Sequence, residues 1–591
     1  MKPVLLWLSL SLFCIPVFAQ ITIKGVITDQ NKAPIPGVNI IELGTQNGVS
    51  SDANGVYSIQ VKDQNAMLSF SFIGFYDESI QVGAKTTLNI LLRPNSELLD
   101  EVVITALGLE RDPKNLGYVI QKLETKQVSE VKSPNFVDNL AGQVAGVTVS
   151  QGATGVGSSS KITIRGEASF TNNNPLFVVD GVPINNNSII NYTTDAASGF
   201  QEIDFGNGAM EVNPDDIASV SVLKGPAAAA LYGTRASNGV ILIETKSGAV
   251  KQGIGVSINS STFVDRAFKL PEFQNKYGQG NSGEFEYVNG LGGGVNDAIS
   301  YSYGPQLDAG ILVPQYDSPV TMPDGSTVRG GDNYVHGGLP ITPTEFVSHP
   351  DNLKNFYQTG YTTMNNAAVT SGFDKGDFRL SFTDMRSESI IPGVNLDRQT
   401  VSSRLNFRPT SKLKISTSLS YINSASDNRP ANGYGSENVN YALVAWGPRS
   451  LNINNMKDYW QPGLEGLEQY SFNYTYFDNP YFTLLENRNS FQRDRFFGNV
   501  LARYQFAEYW SAQVRTGMDY STELRKFSRA YSSNRFQNGA YAEHQVSYRE
   551  NNTDLLLNYK KLFGDFLIDI SAGANRMDQA AINAQTQALS L

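Results

Sequence analysis

Apolar and polar positions alternate with a period of two over most of this chain, the spacing of strands whose side chains point to opposite faces. Near the start, Tyr57, Ile59 and Val61, then Leu68, Phe70 and Phe72, then Leu88, Ile90 and Leu92 each line one face of a short strand. Turn chemistry separates these runs at Pro34-Ile35-Pro36-Gly37, Asn54-Gly55 and Ile73-Gly74. About seven short strands between Ile21 and Leu92 are expected to form a compact sandwich. Further on, Phe177 to Val179 reads as a strand closing into a hairpin turn at Asp180-Gly181. Val220 to Leu223 and Gly239 to Glu244 read as buried strands joined by a short helical turn. Pro226 opens that turn where its missing N–H costs nothing, four alanines follow, and Gly233 can end it in a left-handed cap.

From about Gly253 the alternation returns in longer strands. Leu413, Ile415, Thr417, Leu419 and Tyr421 face one way, and Lys414, Ser416, Ser418 and Ser420 the other. Val500, Ala502, Tyr504 and Phe506 oppose Asn499, Leu501, Arg503 and Gln505; Ala512, Val514, Thr516, Met518 and Tyr520 oppose Ser511, Gln513, Arg515 and Asp519. One side suits lipid and the other a polar lumen, the pattern of an outer-membrane barrel. Arg408-Pro409-Thr410-Ser411 and Phe563-Gly564-Asp565 read as short turns on the inner side. The stretches 266–360 and 424–490, rich in Gly, Asn and Tyr, read as long outer loops.

Composition narrows the class. The chain has 591 residues with 28 Tyr, 31 Phe and 17% charged residues, against roughly 25% in ordinary soluble domains. A formal net charge of −10 excludes nucleic acid as partner, since phosphates would go unneutralised. Lys2 before the apolar run Pro3 to Ala19, ending Val17-Phe18-Ala19, reads as a secretory signal peptide over residues 1–19. Cys14, the single cysteine, lies inside it, so the mature chain from Gln20 is expected to hold no disulfide, cysteine nucleophile or Cys-ligated metal. No later segment reaches the roughly 18 continuous apolar residues of a spanning helix. Any membrane crossing is therefore made by strands.

Candidate chemistry is sparse. Ser51-Asp52-Ala53-Asn54-Gly55 lacks the downstream ligands of a calcium loop and reads as a tight turn. Gly152 to Lys161 lacks a lysine directly after its second glycine, as phosphate binding requires, and Gly290 to Gly294 has no strand–helix context. His336, His349 and His544 are scattered; the first two share a loop and could hold a metal, but exposed loop histidines are more often simply polar. No catalytic residue, metal or cofactor is assigned, and the chain is not expected to be an enzyme.

Three successive stretches carry a resemblance. Ile23-Lys24-Gly25-Val26-Ile27-Thr28-Asp29, Pro36-Gly37-Val38-Asn39-Ile40 and Gly55-Val56-Tyr57-Ser58-Ile59 resemble the carboxypeptidase regulatory-like, transthyretin-type domain. Glu97 to Gly108 follows, an apolar β-branched run flanked by acids with no evident sheet of its own; it is either a last strand of the sandwich or a strand offered edge-on to another protein. Asp100, Glu101, Val102, Val103, Ile104, Thr105 and Ala106 resemble the TonB box of the SusC/RagA family of TonB-dependent outer-membrane transporters. A plug follows in that family, and three blocks match it: Asn139 to Val149; Ile162 to Gly166 with Asn174 to Pro183; and Ile217 to Ile241, which runs through Lys224-Gly225-Pro226 and Tyr232-Gly233-Thr234-Arg235. The region Gly208 to Val222, with Asn213-Pro214-Asp215-Asp216, resembles the SusC/RagA subgroup in particular. Arg165, Gly166, Asp180, Gly181, Lys224, Gly225, Pro226, Gly233 and Arg235 are the plug-signature residues. Arg165 and Asp180 either face the wall or hold the plug together internally.

The resemblance implies a mainly β fold. Residues 1–19 would be the signal peptide, 20–95 the transthyretin-like sandwich, 96–112 the TonB box and linker, 113–248 an α+β plug, and 249–591 part of an antiparallel transmembrane barrel. It implies import of an oligosaccharide or peptide across a Gram-negative outer membrane, with periplasmic N-terminal domains. The implied partners are a TonB-type energy-coupling protein, a SusD-like surface lipoprotein and outer-membrane lipid. A ligand-sensing receptor is the alternative, as is an inactive truncated piece. Family barrels have 22 strands, and about 10 to 12 are expected here, about half a wall whose closing strands are missing. An open cylinder around the plug is therefore expected.

Overall fold

The computed structural model describes residues 21–93 except 30–31, 46 and 73–74; the pairs 103–104 and 110–111; 120–124; 133–187 except 153, 168 and 171; 202–224; 232–248; and 252–591 except 565. The chain divides into two units, meeting between Leu116 and Gly117. The signal-peptide reading and Cys14 lie outside the described residues, as do Asp100, Glu101, Val102, Thr105, Ala106, Gly225 and Pro226.

Among the described residues, the sandwich of the first unit holds seven strands in two sheets. β1 (Ile21–Thr28) lies between β4 (Val56–Val61) and β7 (Ile90–Leu91); the second sheet runs β3 (Gly48–Ser50), β2 (Asn39–Glu42), β5 (Met67–Ser71), β6 (Glu78–Gln81). The alternating positions read from the sequence do face inward: Tyr57, Ile59, Val61, Leu68 and Phe70 are buried with Ile23, Ile27 and Ile40. Gly25 is obligatory there, because a Cβ would stand 1.8 Å from the carbonyl oxygen of Leu88. Asp52 accepts from the N–H groups of Asn54 and Val56, a tight turn of the kind the sequence predicts. Beyond the sandwich, β8 (Val103–Ile104) pairs antiparallel with β9 (Glu110–Arg111) in a separate two-stranded sheet. The segment thus has a small sheet, built from its own chain and apart from the sandwich, where the sequence offered none.

The second unit is a plug sheet and a strand wall. The plug sheet runs β10 (Ile120–Glu124), β16 (Ile217–Leu223), β17 (Val240–Thr245), β13 (Leu176–Val179), β14 (Val182–Ile184). The pair β11 (Val147–Ser150) and β12 (Lys161–Ile164) packs beside it. Asp180 (φ 47°) and Gly181 (φ 87°) both take positive φ between β13 and β14, the type I′ geometry that matches strand twist. Gly233, at φ 72° and ψ −165°, lies outside the left-handed helical region expected of a helix-ending cap and instead opens a 3-10 turn, Thr234–Ala236. Of the helical turn expected before it, residues 225–231 lie outside the described residues.

The wall is one antiparallel sheet of nine strands: β18 (Gly253–Asp265), β23 (Gly360–Phe373), β24 (Gly376–Glu388), β25 (Asn395–Thr410), β26 (Leu413–Ser426), β28 (Asn489–Gln505), β29 (Trp510–Tyr531), β30 (Asn538–Phe563) and β31 (Phe566–Ala588). Nine replaces the expected 10 to 12. The cause is strand length: β29, β30 and β31 have 22, 26 and 23 residues, well beyond the roughly 10 a crossing needs. β18 and β31 are the two edges of the sheet and do not pair with each other, so the wall is a partial barrel. Outward positions are apolar in a band whose upper edge is an aromatic row in register, Tyr421, Phe496 and Tyr520. Its lower edge carries Phe373 with Phe407, and Trp510 with Tyr559. Such girdles mark the two membrane interfaces of an outer-membrane barrel.

Short turns join the strands at one end. At the other end, 266–359 and 427–488 fold into a cap with its own buried core, including Tyr287, Phe346, Phe356, Ile453, Tyr470 and Leu484. Its small strands are β19 (Leu312–Val313) with β22 (Thr344–Glu345), and β20 (Pro319–Thr321) with β21 (Thr327–Arg329). β27 (Ala431–Asn432) pairs with β15 (Glu202–Ile203) and ties cap to plug. The two stretches read as loops are therefore largely a folded layer.

Candidate functional site

The site with the richest chemistry is the seam between plug and wall. Inward wall positions alternate with the lipid-facing ones, so polar residues spaced by two on successive strands line up in cross-strand rows. One row runs Arg379, Arg404, Ser418, Asn499, Gly517. Two plug turns feed carboxylates into it. Asp180 Oδ1 accepts from Arg404 Nη1 at 2.9 Å and from the Thr245 N–H at 3.0 Å; Oδ2 accepts from Ser418 at 2.5 Å and the Thr245 hydroxyl at 2.6 Å. Asn499 donates to the Asp180 carbonyl at 2.9 Å. Asp216 accepts from Arg379 at 2.6 Å and Ser381 at 2.7 Å, and from Asn213, which also donates to Thr383. Gly517 leaves room for Val182, whose methyl would meet a Cβ there at 2.8 Å.

A second row, Arg398, Ser424, Arg493 and Glu523, crosses nearer the cap. Glu211 ends a short 3-10 turn, Gly208–Glu211, and is fully buried among its arginines. Its Oε1 lies 3.2 Å from Arg493 and its Oε2 2.9 Å from Arg495. Arg493 also pairs with Glu523 and Arg495 with Asp519, each at 2.9 Å. Burial alone would raise the Glu211 carboxyl pKa; the positive field of Arg493, Arg495 and Arg398 outweighs it and holds the group below the ordinary glutamate value. Arg398 donates to the Met210 carbonyl at 2.6 Å, while its Nε has no hydrogen-bond partner. Arg429, also buried, is spent on backbone carbonyls of Val156 and Asp204 and on Thr154.

At the far side of the seam Arg235 makes a two-pronged contact with Glu550, at 2.8 and 3.0 Å. Tyr548 and Asn552 orient that carboxylate. Gly181 lies under the Arg515 guanidinium, where a Cβ would stand 2.0 Å from Nη1; Arg515 in turn pairs with Asp554 at 2.6 Å. The arrangement is a lock. It fastens plug turns to the wall by buried, charge-assisted contacts, each specific in geometry.

The comparisons with known proteins bear on the same segments. The model of the CarboxypepD_reg-like domain matches residues 23–104, and that of the TonB-dependent Receptor Plug Domain matches 112–240. The chain is 36% identical over 272 residues to the TonB-dependent receptor SusC of Bacteroides thetaiotaomicron, covering 46% of this chain and 25% of that protein. It is 24% identical over 563 residues to the TonB-dependent receptor P3 of Formosa agariphila, covering 93% of this chain and 47% of that one. Among solved structures, the RagAB peptide importer in its open-open state has the same fold, with a TM-score of 0.56 at 17% identity, over 83% of this chain and 50% of that one. The chain thus carries a CarboxypepD_reg-like domain followed by a TonB-dependent receptor plug domain, and it is similar to TonB-dependent receptors. It spans less than half the length of the curated relatives it matches.

The plug-signature residues separate by position. Asp180, Gly181 and Arg235 are drawn into the seam. Arg165 (φ 61°) and Gly166 (φ 86°) form an exposed turn after β12, where the Arg165 N–H donates to the Gly146 carbonyl. Lys224 reaches Gln121 on β10 at 2.9 Å, inside the plug. Of the TonB-box residues only the backbone of Val103 and Ile104 is described, as strand. His336 is spent on its own loop, with Nε2 on the Gly330 carbonyl and Nδ1 on the Gly338 N–H, and no metal-binding cluster occurs among the described residues.

Sequence reasoning named Asp216 only as part of the Asn213–Asp216 motif, with no role, and missed Glu211, Arg379, Arg404, Arg493, Arg495 and Glu550. Their signal is present but local: arginines and acids at inward-facing positions of strands whose other face is apolar, where a water-filled lumen would not need them in pairs.

Proposed function

We propose that the chain supplies the coupling segment, plug and part of the wall of an outer-membrane importer for an oligosaccharide or peptide. A SusD-like surface lipoprotein covers it, and a TonB-type protein pairs with residues 100–106 to pull. The observation that carries this reading is the seam. Asp180, Glu211 and Asp216 are each held by several buried, charge-assisted contacts that must separate together before the plug can move. Work applied to the plug from outside is the means that drives that concerted separation. The outer membrane holds no ATP and no ion gradient, and a strand pulled by its backbone transmits force without special side chains. Closure of the lipid-facing edges of β18 and β31 by further strands belongs to the same reading, because open backbone edges are not tolerated in hydrocarbon.

Deleting Asp100–Ala106 in the intact parent is expected to abolish energised uptake while ligand binding at the cell surface persists. Uptake that survives the deletion would refute the pulling mechanism.

A further inference from the structure

The arginines of the wall fall into two sets. Arg493, Arg495, Arg515 and Arg525 each pair with a carboxylate of the wall itself: Glu523, Asp519, Asp554 and Glu523. Arg379 and Arg404 make their ion pairs with plug residues, Asp216 and Asp180. Arg398 sits in the field of Glu211 of the plug and donates to the Met210 carbonyl, with its buried Nε unpartnered.

Sheet register sharpens the contrast. Arg379 on β24 stands directly opposite Arg404 on β25, and Arg398 and Arg493 flank Ser424 on either side. Like charges directly opposite one another destabilise a sheet. At rest the plug relieves both places, with Asp180 and Asp216 at the first and Glu211 at the second. The inward positions of β25 between the two arginines are Thr400 and Ser402, and both are buried. Among the described residues, Asp377 is the one carboxylate on the inward face of β24, β25 and β26, and it is taken up by the Gly248 N–H and by Asn406. Arg398 and Arg404 are six residues apart, about 20 Å along the strand at about 3.4 Å per residue. These strands lie within the sheet, with β23 and β28 hydrogen-bonded on either side, so this face does not border an open edge.

Fastening alone does not require such an arrangement, since Arg235 and Glu550 fasten the plug with the signs reversed. When the plug moves, its three carboxylates leave with it. The arginines of β24 and β25 then remain as cations spaced by hydroxyls, along the path that the moving plug opens.

We propose that this stripe is a transfer site for carboxylates: carboxylate groups of the cargo take the places of Asp180, Asp216 and Glu211 as the plug withdraws, so the solute that passes is anionic. The proposal rests on the importer reading and deepens it, making charge rather than backbone the property that the wall selects. A guanidinium presents a fork of N–H donors matched to the two oxygens of a carboxylate. Arg379 and Arg404 present two such forks at one height. A neutral solute offers them only hydroxyls or amides, whose hydrogen bonds are weaker than those of a charged acceptor.

The test is uptake by energised cells carrying the intact parent, with matched probes. Oligogalacturonates are compared with their methyl esters, and glutamate-rich peptides with the same peptides carrying glutamine, so that the two pairs separate a saccharide from a peptide source of the carboxylates. In at least one pair the acid should enter about tenfold faster than its neutral match, near the low end of what a hydrogen bond to a charged group contributes. Arg379→Gln and Arg404→Gln also loosen the plug, which speeds both members of a pair alike. The ratio between the members should fall toward one, and Arg404→Lys, which keeps the charge, should hold it above that of Arg404→Gln. Neutral probes that enter as fast as the acids, no entry of any acid probe, or a ratio unmoved by both glutamine substitutions overturns the proposal. An acid-to-neutral ratio that persists after deletion of Asp100–Ala106 would instead refute the pulling mechanism and leave the stripe standing.

Discussion

Replacing Glu211 with Gln tests the lock directly. The amide is isosteric and keeps an acceptor for Arg495, but it removes the negative charge shared by Arg493, Arg495 and Arg398. Arg493 retains Glu523 and Arg495 retains Asp519, so neither is stranded. Arg398 is stranded, left with one carbonyl contact and an unpartnered Nε. The loss therefore falls at the low end of the cost of breaking a buried pair, about 3 kcal/mol. That is roughly a hundredfold in the equilibrium for opening the plug. The mature chain is expected to lack cysteine, so Ala209→Cys, buried beside Glu211, gives a clean reporter whose thiol-labelling rate follows opening. Labelling should accelerate about a hundredfold in Glu211→Gln, and adding Arg398→Met should recover at least about 1 kcal/mol of it, since sites sharing a network couple. The pH sign is fixed too. A carboxyl held below its ordinary value stabilises fully above that value and loses its contribution as pH falls through the depressed one, so acid should open the parent, and Glu211→Gln should lose the share of that response that Glu211 carries while the other seam carboxylates keep theirs. A labelling rate within twofold of the parent would show that Glu211 does not fasten the plug.

Gly181→Ala should destabilise the unit by about 1–3 kcal/mol through backbone strain at φ 87° alone. It should also displace Arg515 from Asp554, read as a lowered midpoint in denaturant; a Gly181→Ala protein of parental stability would contradict the type I′ reading. Asp478, in the cap, is pushed up to about 6 by burial, although Gln469 and the Asn534 N–H both donate to its Oδ1. A raised carboxyl binds its proton more tightly folded than unfolded, so its cost grows as pH rises from about 4 to 6 and persists above. Asp478→Asn keeps an oxygen for both donors and should stabilise the cap by about 1–3 kcal/mol at pH 7–8, taking about 1.4 kcal/mol per pH unit. At pH 4 the gain should vanish. Equal melting temperatures of the two proteins across that range would refute the assignment.

Much of the fold was legible because period-two alternation is a property of single strands. The inward and outward sets of 413–421, 499–506 and 511–520 were read correctly, since lipid and plug impose opposite polarity on the two faces. The Asp180-Gly181 turn was legible for the same local reason. Strand number was not, because strand length is set by how far the wall continues above the apolar band, and polar residues there alternate without contrast. The lock was invisible in sequence: Asp180 and Arg404 are 224 residues apart, and Glu211 and Arg493 are 282 apart. Only sheet register brings them into one row. The cap was missed as a folded layer because Gly- and Asn-rich turns hide an apolar core contributed residue by residue from two distant connections.

The aromatic row Tyr421, Phe496 and Tyr520 fixes the height of the outer membrane interface on the wall. On β26 the strand ends soon above that line, at Ser426, and the cap begins. On β29 and β30 the strands run on, through 521–531 and 538–548, with Thr522, Lys526, Gln545 and Ser547 on their outer faces. At about 3.4 Å per residue and a tilt near 45° this is a parapet roughly 25 Å tall, standing on one flank. Its tip meets the cap, Ser532 donating to Glu468 at 2.9 Å, while its outer face stays hydrated. It is the part of the chain where surface variation costs the lock nothing.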